Sequence, residues 1–206
     1  MFVYLGVDNT PPPSQPVAPE IFFGRDDIVC DIVNLFAPEK QVRVAILGAA
    51  GIGKTSTAKH VLHCLKQFEY QQYFVGCDAV TSADTLAALI LQVLRVPPVQ
   101  GEHMLTVLHQ ALLVAPPTLL LLDNFESVWQ LDPSRDGVRD LLSKIGSAKK
   151  VSLIVTMRGS APPSNIKWTH CQILPPLSSS AAKKLFLEIN PLTLEGDHTF
   201  QSNIPN

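Results

Sequence analysis

The chain has 206 residues, with 16 Lys and Arg against 18 Asp and Glu, a formal net charge of −2 and a pI of about 6.3. That balance offers no basic stripe for an electrostatic nucleic-acid partner, and no apolar run approaches the length of a membrane span. Charged residues are only 17% and mean hydropathy is +0.19, so few charges are available to cover the exposed surface, and part of that surface is expected to be an interface.

Met1–Val7 is apolar but has neither the basic start nor the long apolar stretch of a signal peptide, and the expected location is cytoplasmic. Residues 1–20 include Pro11, Pro12, Pro13, Pro16 and Pro19. Proline fixes φ and restricts its predecessor, so this stretch reads as an extended arm. Ile28, Val29, Ile32, Val33 and Phe36 then recur at helical spacing, and Pro38 ends that helix. Val42–Leu47 reads as a buried strand, and Lys54–Phe68 as a helix with Ala58, Val61, Leu62, Leu65 and Phe68 on one face. Tyr73–Val75 is a short strand. Thr81–Asp84 is a capping signal for an apolar helix over Leu86–Leu94, and Met104–Val114 is the next helix. Thr118–Leu122 is a fully apolar strand, Val138–Ile145 a helix and Val151–Thr156 a strand. Cys171–Leu174 is a last strand, and Ser179–Ile189 a last helix capped by the serines at 178–180. Residues 190–206 lose the pattern and read as an irregular tail. Strands that are continuous apolar runs, alternating with helices, predict a parallel sheet covered on both faces.

Three segments carry chemistry. Gly48-Ala49-Ala50-Gly51-Ile52-Gly53-Lys54-Thr55 fits G-x-x-x-x-G-K-[ST], the P-loop, between a predicted strand and a predicted helix. Glycines let successive N–H groups converge on phosphate oxygens at a helix N-terminus. Lys54 would reach the β- and γ-phosphates and Thr55 would ligate Mg²⁺, with Ser56 following in the first helical turn. In Leu119–Glu126, Asp123 ends an apolar strand: it either caps the next turn or, as a Walker B acid, holds Mg²⁺. Glu126 is either an exposed first-turn acid or the group that orients or deprotonates an attacking water. A third strand delivers Thr156 and Arg158 to the same sheet edge, where Arg158 would form a surface ion pair or sense a γ-phosphate. The four cysteines, at 30, 64, 77 and 171, form no C-x-x-C pair and read as small buried apolar residues in a reducing compartment. His60, His63 and Cys64 lack a fourth ligand for a metal site, and Trp129 and Trp168 read as packing residues.

Together these motifs resemble the nucleotide-binding domain of signal-transduction ATPases with numerous domains, the NB-ARC and NACHT type NTPases of innate-immune and cell-death receptors. Phe22-Phe23-Gly24-Arg25-Asp26 resembles the segment upstream of the P-loop in NB-ARC proteins, which contacts adenine largely through its backbone; Phe23, Gly24 and Arg25 are the implied positions. The stretch from Asp123 to Trp129 resembles the NB-ARC aspartate-to-tryptophan segment, although Asn124 stands where NB-ARC proteins carry a second Asp. Glu126 falls where NACHT proteins place an acid. Leu153–Arg158 resembles the strand ending in the sensor arginine. Leu174-Pro175-Pro176-Leu177 and the helix containing Ala182 to Phe186 resemble the family's Leu-x-x-Leu segment and its following helix, which adds Pro175 to the implied nucleotide contacts.

The resemblance implies an α/β fold, a P-loop NTPase three-layer α/β/α sandwich with a parallel sheet of about five strands over residues 21–189. The strand of Arg158 would lie between the P-loop strand and that of Asp123. It implies ATP and ADP as ligands, Mg²⁺ as cofactor and slow or conditional hydrolysis used as a signalling switch. It further implies a homo-oligomer, or packing against the helical and winged-helix subdomains that clamp ADP in the family and for which this sequence shows no motifs; on that reading the chain is truncated. A non-catalytic oligomerisation or decoy module and a small-molecule kinase are the alternatives.

Overall fold

The computed structural model describes residues 17–37, 40–131 and 135–190. Most of the proline-rich arm and nearly all of the tail expected over 190–206 lie outside them. Helix α1 (Asp26–Val33) precedes strand β1 (Arg43–Leu47), which leads through a loop into helix α2 (Lys54–Cys64) and a 3-10 turn over Leu65–Gln67. Strand β2 (Gln71–Gly76), helices α3 (Ala83–Val93) and α4 (Met104–Val114) and strand β3 (Thr118–Asp123) follow. The chain continues through α5 (Glu126–Leu131), α6 (Asp136–Ser147), β4 (Val151–Met157), β5 (His170–Ile173) and α7 (Ser179–Ile189).

The five strands form one parallel sheet in the order β2-β3-β4-β1-β5. Strand β4, which leads to Arg158, lies between β1 and β3, as the resemblance implies. The apolar runs explain the layers. In β3, Leu120 and Leu122 join the core cluster of α3, α4 and α6, while Leu119 and Leu121 join that of α1 and α2. All four leucines are fully buried, each worth roughly 1.5–3 kcal/mol of transfer free energy. A strand buried on both sides cannot alternate apolar with polar residues, and this one does not.

Several element ends differ from the sequence expectation. The first helix stops at Val33, although Phe36 is still buried beyond it. The P-loop helix tightens into its 3-10 turn before Phe68. Helix α3 begins three residues early, at Ala83, because the Ser82 side chain accepts a hydrogen bond from the Thr85 N–H. Helix α5 was not anticipated: Asn124, at φ 55°, turns the chain out of β3, and six residues are too few to show a helical period. Strand β5 departs from the fully covered pattern. It is an edge strand, paired on one side with β1, and Cys171 and Ile173 are exposed. The cysteine expectation also needs correction. Cys77 is buried, but Cys30 lies on the outer side of α1 and Cys171 on the edge strand, both exposed, and Cys64 is half-buried. Both tryptophans pack as expected: Trp129 against Phe125, and Trp168 donating its indole N–H to the Pro163 carbonyl.

Candidate functional site

The carboxyl ends of β1, β3 and β4 meet at one sheet edge, the side on which open parallel sheets place their ligand crevices. There the loop from β1 to α2 wraps a cleft of about 260 Å³ lined by Ala50, Gly51, Gly53, Lys54, Thr55, Ser56, Asn124 and Arg158. Gly51 and Gly53 have φ of 70° and 95°, in the left-handed region that residues with a Cβ rarely occupy. Gly53 sits at the N-cap of α2 and supplies no side-chain cap, so the first turn's N–H groups are left to an incoming anion.

Lys54 is 6% exposed, and its Nζ donates to the carbonyl oxygens of Gly48 at 3.2 Å and Ala49 at 2.8 Å. Burial pulls its pKa below the usual lysine value; Glu126 and Asp123 oppose that shift and Arg158 adds to it. A buried ammonium satisfied only by neutral carbonyls has capacity for an anion.

Beneath the loop, Thr55 Oγ1 donates to the Asp123 carboxylate, 2.8 Å from Oδ1 and 3.0 Å from Oδ2. Thr156 Oγ1 donates to Asp123 Oδ1 at 2.5 Å and accepts from the Asn124 N–H at 3.1 Å. Asp123 is 4% exposed, so the turn-capping alternative does not describe it: its oxygens face two hydroxyls from neighbouring elements. The donor set is oxygen alone, a carboxylate and a hydroxyl at the mouth of an anion-binding loop. This suits Mg²⁺, a hard cation that keeps several waters and needs few protein ligands. Among the described residues no cluster of three or more His, Cys, Asp and Glu forms a metal cage, and His60 instead stacks on Phe22 with ring centroids 4.2 Å apart.

Glu126 is 7% exposed, not a surface acid. Its Oε1 lies 3.2 Å from Arg158 Nε, and its Oε2 is buried without a hydrogen-bond partner. Arg158 forms an ion pair, as one of the two sequence alternatives has it, but with a buried acid, and it also lines the cleft.

Phe23, Gly24, Arg25 and Pro175 do not line this cleft. Arg25 joins Pro175 to the loop from outside the cleft. Arg25 is 5% exposed, and its Nη2 donates to the carbonyls of Ile52 at 2.8 Å and Pro175 at 3.0 Å. Burial lowers its pKa from the usual arginine value. Gly48, Ala49 and Ile52 contribute backbone carbonyls to these contacts and not cleft surface.

The sequence reading did not assign site roles to Thr156, Asn124 and Asp78. Thr156 and Arg158 are two residues apart at a strand end, which was the available signal for the first. The Asn124 side-chain amide donates to Asp78 Oδ1 at 2.6 Å, linking the ends of β2 and β3, a pairing that only the sheet order creates.

A NACHT domain match covers residues 42–192. Among solved structures, the fold is similar to the Aeropyrum pernix ORC1 protein in complex with DNA, at 18% identity and a TM-score of 0.65 over 85% of this chain and 51% of that one. It is similar also to CDC6P from Pyrobaculum aerophilum, at 16% identity and a TM-score of 0.67 over 85% of this chain and 51% of that one. A third similar structure is the signal transduction ATPase with numerous domains from Pyrococcus horikoshii that carries a tetratricopeptide repeat sensor. There the identity is 21% and the TM-score 0.53, over 86% of this chain and 27% of that one. The chain thus spans about half the length of the first two structures. No match was found among curated proteins. At such identities the structural likeness speaks for the fold alone, a P-loop NTPase α/β sandwich. The family match takes in β1, the glycine loop, Asp123, Glu126 and Arg158, and the chain belongs to the NACHT domain family.

Proposed function

We propose that this domain binds ATP and ADP with Mg²⁺ and acts as a nucleotide-dependent signalling switch with slow or conditional hydrolysis. The observation that supports it best is Lys54, buried and bonded only to carbonyls of its own loop, beside the Thr55–Asp123 pair. Phosphate oxygens would replace those carbonyls as partners of Lys54, a gain from neutral to charge-assisted hydrogen bonds. Thr55 and Asp123 would hold Mg²⁺, which when bound neutralises charge on the terminal phosphates. Glu126 would accept the proton of a water attacking the terminal phosphorus, whose bond to the bridging oxygen breaks to leave ADP and inorganic phosphate. Solved relatives in fold include an Aeropyrum pernix ORC2 protein described with ADPNP and ADP complexes, which agrees with this ligand class. Phe23, Gly24, Arg25 and Pro175 would hold the base side of the nucleotide, and a role in an innate-immunity or cell-death receptor follows from the family resemblance.

Titration calorimetry of the Lys54→Ala variant tests the reading. Loss of a charge-assisted bond worth about 1.5–3 kcal/mol should weaken Mg·ATP binding by roughly 10- to 100-fold. Unchanged affinity would remove the P-loop assignment.

A further inference from the structure

Glu126 and Arg158 form an unequal pair. The glutamate side chain is 10% exposed and the arginine side chain 65%. Arg158 Nε lies 3.2 Å from Glu126 Oε1, and because Oε2 takes no hydrogen bond the pair is not the two-pronged fork that carboxylates favour. The other glutamate oxygen, Oε2, is buried and has no partner. A nearly buried carboxylate whose only charged partner is a largely exposed cation is poorly satisfied. Among the described residues Arg158 has no other polar partner, and it lines the same cleft as Lys54 and Thr55. The terminal phosphate of a triphosphate would place three acceptor oxygens and a denser negative charge against the same guanidinium. A diphosphate is one phosphoryl group shorter.

We propose that Glu126 competes with the terminal phosphate for Arg158, and that this competition sets how strongly the cleft prefers a nucleoside triphosphate over a diphosphate. The proposal rests on the nucleotide-binding reading above and adds a specificity-determining role for Glu126. With a diphosphate, Arg158 stays on Glu126. With a triphosphate, Arg158 transfers to the phosphate and Glu126 is released to face water. The residue that would serve as base is therefore held by a cation until the bond to be cleaved is present. The glutamate charge costs triphosphate affinity, and the ion pair is the reason.

The test compares calorimetric affinities of the full chain for Mg·ADP and for the Mg²⁺ complex of a non-hydrolysable triphosphate analogue. Glu126→Gln should raise the triphosphate-to-diphosphate affinity ratio by about 2- to 5-fold, the scale of a partly exposed ion pair. Arg158→Gln, at an exposed position, should lower the ratio, and in the Arg158→Gln background the added Glu126→Gln change should leave it unmoved. An unchanged ratio in Glu126→Gln, or the same gain with and without Arg158, overturns the competition, the latter by showing plain repulsion. If Glu126→Gln does not fold, a ratio in Arg158→Gln equal to that of the unsubstituted chain overturns it alone. An unsubstituted chain that binds neither nucleotide overturns the nucleotide-binding reading itself.

Discussion

Cys77 shows how the site's charges act on a residue that takes no part in it. Burial pushes its thiol from an ordinary value of 9.0 up to about 12, with Asp123, Asp78 and Glu126 adding to the shift. The unfolded chain then loses this proton well before the folded one. Between the two values the unfolded state binds fewer protons, so stability falls as pH rises. The contribution is fully present below pH 9.0 and is lost progressively toward about 12. Urea unfolding across that range, compared with Cys77→Ala, should give stability curves whose difference is flat below pH 9 and changes above it, the unsubstituted chain falling more steeply. Parallel curves to pH 11 would contradict the burial argument. At Lys54 too burial is the largest influence, pulling the ammonium below the usual lysine value, with Glu126 and Asp123 opposing it and Arg158 adding to it.

Among the described α-helices, α7 is the one held by the fewest buried side chains. Ala181 is its one buried residue, while Phe186 and Ile189 are exposed at 57% and 58%. The contact at Ala181 is close: a Cβ on Gly24 would lie 2.4 Å from the Ala181 Cβ, and Gly24 has φ of 71°. The glycine is thus required both by conformation and by space. Its neighbour Arg25 joins the same region to the phosphate loop through Ile52 and Pro175. Gly24→Ala should therefore loosen α7 and destabilise the domain by about 1–3 kcal/mol. Hydrogen exchange should quicken in α7 and in residues 174–177 while β1, β3 and β4 stay protected. Adding Ala181→Gly should restore part of the loss by removing the clash, leaving the strain in φ. Uniform exchange across the sheet in Gly24→Ala would show that α7 is not a separate unit.

At the scale of the molecule, a ligand that binds only the folded state stabilises by mass action. Mg·ADP at one hundred times its dissociation constant should add about 2.7 kcal/mol. For a domain of this length that corresponds to a rise in Tm of roughly 5–10 °C. Differential scanning fluorimetry should show the shift in the unsubstituted chain and lose most of it in Lys54→Ala. The exposed apolar residues Ile173, Phe186 and Ile189 lie on the edge strand and the last helix.

Most of the framework was legible in the residues, and for a local reason. The glycine loop, the apolar strands and the cap at Ser82 depend on conformational preferences of short segments, so Lys54, Thr55 and the β–α alternation could be read directly. Asp123 and Glu126 were visible as acids at a strand end, but their burial was not, because it depends on which strands become neighbours. The sheet order brings β4 beside β3, sets Thr156 against Asp123 and places Arg158 on Glu126. Helix α5 escaped because it is a single short turn region, and Cys30 and Cys171 because exposure depends on what covers an element. The same held for Arg25: the order of the motif marked it, yet its contact with Pro175 joins positions 150 residues apart. The amino-acid order by itself settled the phosphate loop and the layered fold, since both follow from local backbone preference and apolar pattern. Tertiary packing alone determined which buried acid meets which cation, because that pairing exists only once distant strands share an edge.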